Sequence, residues 1–425
     1  MKEYIDYESY INHQKEKTSN TDKRKVWLNE EWDTKVASFE KEFRKLEAFL
    51  TPDKKCLCLG ARTGQEVAAL KNMGIEDAIG TDLIPQTPHV IEGDVHNLDF
   101  EENTFDFIYT NILGHSIDPK KMIAEVERVL KPGGLFHLQI RTGLDNQDEY
   151  VVFKVENPIY EIATLFDQSY CMSLQKINRE ASIDSVNFAG MNIEMLFQKN
   201  KKLSDLFIKY GNLQTIDVPQ KYQELWENIN LPIQNKKLTN SNILDPIKRR
   251  EILDGLRKRA YYLTRIAEIH ESKNILEVGT AEGWQFFSFG EYAKSIGGKV
   301  FSCDPRDVRS QDHIREYEGV CFYHQKDSRY LASLEEVTDI DMFYIDGLHD
   351  ENTVIADVVN LVDTQNEAQT PVWIFDDFDI RFGCYKDIRT ILSACHGFKI
   401  WDVGLTGSGQ PSHQVMVNSL IRVNR

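Results

Sequence analysis

The amino-acid sequence predicts an α/β protein that contains two doubly wound, mostly parallel sheets. Short apolar runs alternate with amphipathic helical stretches from Lys55 onward, and the same alternation begins again at Asn274. This alternation is typical of parallel strands connected by helices. Each series also starts with a strand that runs into a glycine-rich turn. The length of 425 residues suits two or three domains of about 150 residues each.

The predicted elements follow one another in a simple order. Residues 1–50 are polar, and the helical spacing of Trp32, Val36, Phe39 and Phe43 predicts a helix that covers a sheet. The first series predicts strands and helices at 56–59, 66–72, 78–80, 105–110, 119–131 and 135–140. The second series predicts strands at 275–278, 300–303, 342–345 and 372–375.

The repeated series divides the chain into two domains. We expect a first domain over residues 1–200 with a helical N-terminal extension, and a second domain over residues 246–425. The linker between them, 201–245, is rich in Asn, Lys and Gln, and helix is expected within it around 221–227. A further helix over 246–270 should lead into the second sheet.

Composition excludes several classes of protein. The net charge of −17 disfavours nucleic acid as a partner, because the phosphate backbone would be repelled. No apolar stretch approaches the ~18 residues of a membrane span. The seven cysteines lie mostly in apolar runs without a C-x-x-C pair, so we interpret them as reduced core residues of a cytoplasmic protein.

The first glycine turn is followed by acids at the ends of successive strands. The turn contains Gly60 and Gly64, and Asp82 lies about twenty residues further on, a spacing that suits a ribose-binding acid. Asp94 follows a third strand. His115 follows the fourth strand, where it would act as a general base or be a loop histidine without a catalytic role.

This ordered set, with Lys-Pro-Gly-Gly before the fifth strand, resembles the class I S-adenosylmethionine-dependent methyltransferases over roughly residues 50–200. The resemblance implies a Rossmann-like sheet in which Gly60 and Gly64 face the methionine part of the cofactor. It also implies that Asp82 holds the ribose and that Asp94 reaches the adenine. The family usually has an acid two residues before the first glycine, whereas this chain has Cys58.

That departure leaves three interpretations of the first domain. It methylates one position of an acceptor, or it is a glycosyltransferase that uses a nucleotide sugar, or it is a non-catalytic scaffold. A nucleotide sugar would also be held by a glycine turn and a ribose-binding acid.

The second glycine turn repeats the pattern and retains the acid. By the same resemblance, Glu277 and Gly279 face the amino-acid portion of S-adenosylmethionine, Asp304 the ribose and Asp327 the adenine end.

Carboxylates also follow two later strands of this domain. Asp346 ends one strand, and Asp376 and Asp377 end the next. Adjacent parallel strands end at the same edge, so these acids should converge and bind a hard cation such as Mg²⁺. His349 is placed to take a proton from a chelated hydroxyl. The alternative is that the acids are solvated residues that cap helices.

This arrangement resembles the metal-dependent O-methyltransferases that act on sugar hydroxyls of macrolides and glycans and, less closely, the catechol-type enzymes. The resemblance implies that Asp346, Asp376 and Asp377 are metal ligands and that His349 is the base. We therefore expect a bifunctional glycan-modifying enzyme whose second domain methylates a sugar hydroxyl, with a sugar or glycan as acceptor. The sugar, the hydroxyl and the oligomeric state stay open.

Overall fold

A computed structural model describes residues 4–142, 149–156, 158–176, 191, 193–199, 216–229, 246–306, 311–395, 397–405 and 411–422. The chain divides into two compact units, Met1–Ser204 and Asp205–Arg425, which we call the first and second unit. Most of the expected linker lies outside the described residues. No helix among the described residues is both long enough and apolar enough to cross a membrane.

The first unit contains six α-helices and seven strands within its described residues. The helices are α1 Tyr7–Ser19, α2 Thr21–Lys25, α3 Trp32–Arg44, α4 Gln65–Asn72, α5 Pro119–Val129 and α6 Pro158–Ala163. A π-helical segment spans Val26–Glu30 and a 3₁₀ turn spans Leu113–His115. The strands are β1 Cys56–Leu59, β2 Ala78–Asp82, β3 Val90–Glu92, β4 Phe105–Thr110, β5 Leu130–Ile140, β6 Ser169–Lys176 and β7 Ile193–Lys199.

The sheet of the first unit has the order β3-β2-β1-β4-β5-β7-β6. Its pairs are parallel except that β7 runs antiparallel to β5 and β6. The strand order reverses between β1 and β4, which opens a crevice at the carboxyl edge of the sheet. The predicted ligand-binding turn after β1 therefore lies at the switch point of this sheet.

One face of this sheet is covered by α3, as the sequence predicts. Val36, Phe39 and Phe43 are buried against a core that includes Cys56 and Cys58. This packing follows from the helical spacing of the apolar residues. The seven cysteines of the chain, all within the described residues, carry free thiols, and five of them are buried, in agreement with their interpretation as core residues.

The second unit contains seven α-helices and seven strands within its described residues. The helices are α7 Gln220–Ile229, α8 Pro246–Ile269, α9 Trp284–Ile296, α10 Gln311–Glu316, α11 Ser328–Leu331, α12 Thr353–Leu361 and α13 Cys384–Ser393, with a 3₁₀ turn at Val362–Thr364. The strands are β8 Asn274–Val278, β9 Lys299–Cys303, β10 Cys321–His324, β11 Met342–Ile345, β12 Val372–Phe375, β13 Phe398–Leu405 and β14 Pro411–Asn418. The helices expected around 221–227 and over 246–270 are thus present as α7 and α8.

The second sheet has the order β10-β9-β8-β11-β12-β14-β13, the same pattern as the first. Its described pairs are parallel except that β14 runs antiparallel to β12 and β13. Strands β11 and β12 pair side by side, with Ile345 opposite Phe375. The acids that follow these two strands consequently lie at the same edge, as predicted.

Candidate functional site

The glycine turn of the first unit requires glycine for steric reasons. Gly60 and Gly64 have φ values of +67° and +94°. A Cβ atom on Gly60 would lie 2.6 Å from the side chain of Ile112, and one on Gly64 would lie 2.7 Å from Cβ of His89. The turn therefore brings bare backbone to the crevice between β1 and β4, where a ligand can approach it closely.

Asp82 and Asp94 lie at the same edge of this sheet. Asp82 accepts hydrogen bonds from the backbone N–H groups of Arg62 (3.0 Å) and Ile84 (3.1 Å), and burial raises its pKa. Asp94 accepts hydrogen bonds from the Tyr7 hydroxyl (2.5 Å) and the His96 backbone N–H (2.9 Å). Burial disfavours its charge, but hydrogen bonds from His96 and Tyr7 lower its pKa to about 2.

One cavity brings four of the predicted residues together. Its lining includes Gly60, Asp82, Asp94 and His115. Nδ1 of His115 lies 3.0 Å from the carbonyl oxygen of Tyr150. Because a carbonyl oxygen only accepts, Nδ1 carries the proton and Nε2 is the basic nitrogen of the neutral ring. Helix α1 forms the opposite wall of this cavity with Tyr10, Ile11, Gln14, Lys17 and Thr18.

The first unit has no acid at position 58, but it has a buried acid nearby that was not predicted from the sequence. Glu66, near the start of α4, is buried, and its Oε2 atom has no hydrogen-bond partner. Burial raises its pKa to about 7, and its charge acts on the Cys58 thiol. An acid just after a glycine turn was the only signal of this residue in the sequence.

The glycine turn of the second unit is packed even more tightly. A Cβ atom on Gly279 would lie 1.9 Å from the backbone oxygen of Asp346. The Glu277 side chain is buried and accepts a hydrogen bond of 2.7 Å from the Ser302 hydroxyl. Burial raises the pKa of Glu277 to about 8. Glu277, Gly279 and Asp346 line one cavity, so the predicted cofactor turn and a predicted metal ligand adjoin each other.

The two remaining cofactor candidates of this unit differ in their surroundings. Asp304 is buried and accepts hydrogen bonds from the backbone N–H groups of Ala281 (3.0 Å) and Arg306 (2.8 Å). This arrangement matches that of Asp82 in the first unit. Asp327 is exposed and caps α11 by accepting a hydrogen bond of 3.1 Å from the Tyr330 backbone N–H. A helix-capping role accounts for Asp327 without a ligand.

Two of the predicted metal ligands and the predicted base converge. Asp346, His349 and Asp377 each offer one ligand atom, and these atoms lie within 4.8 Å of one another. Nε2 of His349 lies 3.0 Å from Oδ2 of Asp377 and 3.6 Å from Oδ1 of Asp346. The sequence assigned His349 as a base, whereas the geometry also suits it as a ligand.

The electrostatics of this triad favour a cation. Burial, reinforced by the charge of Asp376, raises the pKa of Asp346 to about 7 and that of Asp377 to about 6. Contact with Asp346, together with the charge of Asp377, raises the pKa of His349 to about 9. Oxygen-rich donors that repel one another are suited to a hard divalent cation. The donor set thus fits Mg²⁺.

Asp376 has a different environment from Asp377. Its Oδ2 atom accepts hydrogen bonds from Nη1 of Arg259 (2.9 Å) and the Tyr344 hydroxyl (3.0 Å). Its Oδ1 atom is buried and has no hydrogen-bond partner. The same Tyr344 hydroxyl lies 3.0 Å from Oδ2 of Asp346. Asp376 therefore lies behind the triad, joined to it through Tyr344.

Two family models match the chain, one in each unit. A model described as a methyltransferase domain matches residues 57–138, and a different model with the same description matches residues 276–378. Each unit thus contains a segment that matches a methyltransferase domain. The two sheets, which share one strand order, are the Rossmann-like sheets that the resemblance to class I enzymes implied.

Curated relatives match the chain over short segments. An uncharacterised methyltransferase of Synechocystis sp. is 32% identical over 103 residues, which cover 21% of this chain and 48% of that protein. An uncharacterised methyltransferase of Mycobacterium tuberculosis is 31% identical over 91 residues, which cover 19% of this chain and 37% of that protein. The chain thus spans less than half the length of these relatives.

Solved structures described as methyltransferases are also similar. The 1,6-didemethyltoxoflavin-N1-methyltransferase of Burkholderia thailandensis is 17% identical with a TM-score of 0.37, covering 47% of this chain and 93% of that one. A putative O-methyltransferase of Klebsiella pneumoniae is 12% identical with a TM-score of 0.36, covering 49% of this chain and 94% of that one.

Proposed function

We propose that the second unit transfers a methyl group from S-adenosylmethionine to a sugar hydroxyl in a reaction that depends on Mg²⁺. One observation carries this proposal: Asp346 belongs both to the acid–histidine triad and to the cavity of the glycine turn. A donor in that cavity and an acceptor on the triad would therefore be neighbours. Such proximity is a large part of what catalysis of methyl transfer requires.

Each residue has a separate part in this proposal. Glu277 and Asp304 would hold the amino-acid and ribose portions of the donor, while Asp346 and Asp377 would hold Mg²⁺. When bound, S-adenosylmethionine supplies an electrophilic methyl group and Mg²⁺ acidifies a chelated hydroxyl. With Mg²⁺ held by Asp346 and Asp377, the carboxylate charges that raise the pKa of His349 would be compensated. Its Nε2, the nitrogen that faces both carboxylates, would then accept the hydroxyl proton. Asp376 would keep Asp346 in place through Tyr344.

The test is methyl transfer from labelled S-adenosylmethionine to a panel of sugars and glycans. Chelator, Asp346→Asn and Asp377→Asn should abolish turnover, and His349→Ala should lower the rate by about 10²–10⁴-fold. His270→Ala is a matched control, because His270 lies just beyond the end of α8 and outside the triad. Full activity in excess chelator would contradict the metal assignment.

We propose that the first unit methylates a second position of the same acceptor, using Gly60, Gly64, Asp82 and Asp94 for the cofactor and His115 as base. The common cavity of Gly60, Asp82, Asp94 and His115 supports this proposal. Cys58 favours two alternatives, a glycosyltransferase that uses a nucleotide sugar or a non-catalytic scaffold. The Gly279→Val substitution would block the second glycine turn, where a side chain would meet the backbone oxygen of Asp346. Calorimetric titration of that chain with S-adenosylmethionine and with nucleotide sugars then reports on the first unit and separates the three interpretations.

A further inference from the structure

The cavity of the second glycine turn contains a cation that sequence analysis missed. Arg259, on α8, lines this cavity together with Glu277, Gly279 and Tyr344. Its side chain is only 16% exposed. A buried acid and a largely buried arginine thus border the same small space. A zwitterionic ligand in this space would place its ammonium group near the acid and its carboxylate near the arginine, which is ion-paired with Asp376 on its other side.

The amino-acid end of S-adenosylmethionine carries an ammonium group and a carboxylate. The resemblance to class I methyltransferases places the acid Glu277 at the amino-acid portion, where it suits the ammonium group, and names no cationic residue for the carboxylate. A guanidinium group recognises a carboxylate through two parallel N–H···O bonds. We propose that Arg259 binds the carboxylate of the methionine portion of S-adenosylmethionine in the second unit. This inference rests on the proposed function of that unit.

Contacts behind Arg259 would hold it in the orientation that this role needs. Nη1 lies 2.9 Å from Oδ2 of Asp376, and that oxygen lies 3.0 Å from the Tyr344 hydroxyl. A guanidinium has five N–H donors in a planar fork, enough to contact Asp376 and a second carboxylate together. The ion pair also compensates part of the charge of Asp376. A substitution of Arg259 would therefore affect Asp376 as well as the bound carboxylate.

A carboxylate-free analogue distinguishes direct binding from an effect through Asp376. Decarboxylated S-adenosylmethionine keeps the ammonium group and lacks the carboxylate. Calorimetry on the full chain measures both ligands, and the binding heat that Asp304→Ala abolishes is assigned to the second unit. Arg259→Met should weaken S-adenosylmethionine binding about 10–150-fold, the equivalent of one charge-assisted interaction. Binding of the analogue should change less than about 3-fold, within the usual context dependence of single contacts.

Two further variants keep the test sharp if Arg259→Met disturbs folding. Arg259→Lys keeps the charge without the fork and should lose part of the discrimination between the two ligands. Arg265→Met is the matched control, because Arg265 lies on the same helix and pairs with Glu268. It should leave both affinities unchanged.

The outcomes separate the inference from the proposed function. Equal loss of both ligands in Arg259→Met would show that Arg259 acts only through Asp376, and the inference would be overturned. Unchanged binding of S-adenosylmethionine would overturn it as well. A wild-type second unit that binds no S-adenosylmethionine would overturn the proposed function and the inference with it.

Discussion

Cofactor binding to the second unit should release a proton from Glu277. The carboxyl is buried, and burial raises its pKa to about 8. At pH 7 such a group is protonated in about nine molecules out of ten. The hydrogen bond of 2.7 Å from Ser302 opposes this shift but does not cancel it.

An ammonium group placed against this carboxyl favours its charged form. If binding lowers the pKa of Glu277 below about 5, then about 0.9 proton leaves per molecule of cofactor at pH 7. The release should fade above about pH 9, where the free carboxyl is already ionised. Affinity should accordingly rise up to about tenfold per pH unit between pH 6 and pH 8.

The assay is calorimetry of S-adenosylmethionine binding at pH 7 in buffers with different ionisation enthalpies. The observed enthalpy should vary with the ionisation enthalpy of the buffer in the wild-type chain. The slope of this dependence, which gives the number of protons released per cofactor, should be smaller by about 0.9 in Glu277→Gln. Glu282→Gln is the control, because Glu282 lines the same cavity and should keep the release. An identical buffer dependence in wild type and Glu277→Gln would refute the reasoning.

Three further predictions concern the metal, stability and the two cofactor sites. Titration with Mn²⁺ should show a site that Asp377→Asn removes and that Asp363→Asn, an exposed control on the same unit, retains; equal binding by both variants would contradict the assignment. Because the pKa of buried Glu66 is about 7 in the folded chain and lower when unfolded, stability should fall by up to about 3 kcal/mol as pH rises from about 4.5 to about 7. Denaturation of Glu66→Gln at pH 5 and pH 8 should lack that part of the fall, and an unchanged pH dependence would show that Glu66 is not responsible. Finally, calorimetry should find tighter S-adenosylmethionine binding at Glu277 than at Cys58, by about 10–150-fold; equal affinities would refute the argument from Cys58.

Periodicity explains why much of the fold could be predicted. The strands at 56–59, 342–345 and 372–375 are continuous apolar runs, as expected for parallel strands covered on both faces. Helix α3 followed from the spacing of Trp32 and the apolar residues after it. The antiparallel strands β6, β7, β13 and β14 were not predicted, because polar side chains interrupt their apolar runs, as in Ile193–Lys199, where buried and partly exposed residues alternate.

The candidate site was predictable where side chains follow directly from strand ends. Asp346 and Asp377 could be placed at one edge because β11 and β12 are neighbours. The sequence could not show that Asp376 has a different environment from Asp377. The two side chains point in different directions because Asp377 leaves the strand with a φ of +51°, which the sequence does not reveal. The ion pair of Asp376 with Arg259 joins residues that are 117 positions apart, and no local pattern reveals it.

The most direct measurement follows the methyl group itself. The full chain would be incubated with S-adenosylmethionine carrying a carbon-labelled methyl group, a sugar acceptor and Mg²⁺, and the product examined by NMR spectroscopy. We expect a labelled O-methyl signal that is absent in chelator and in Asp377→Asn. A label on nitrogen or carbon, or an O-methyl signal that persists in chelator and in Asp377→Asn, would contradict it.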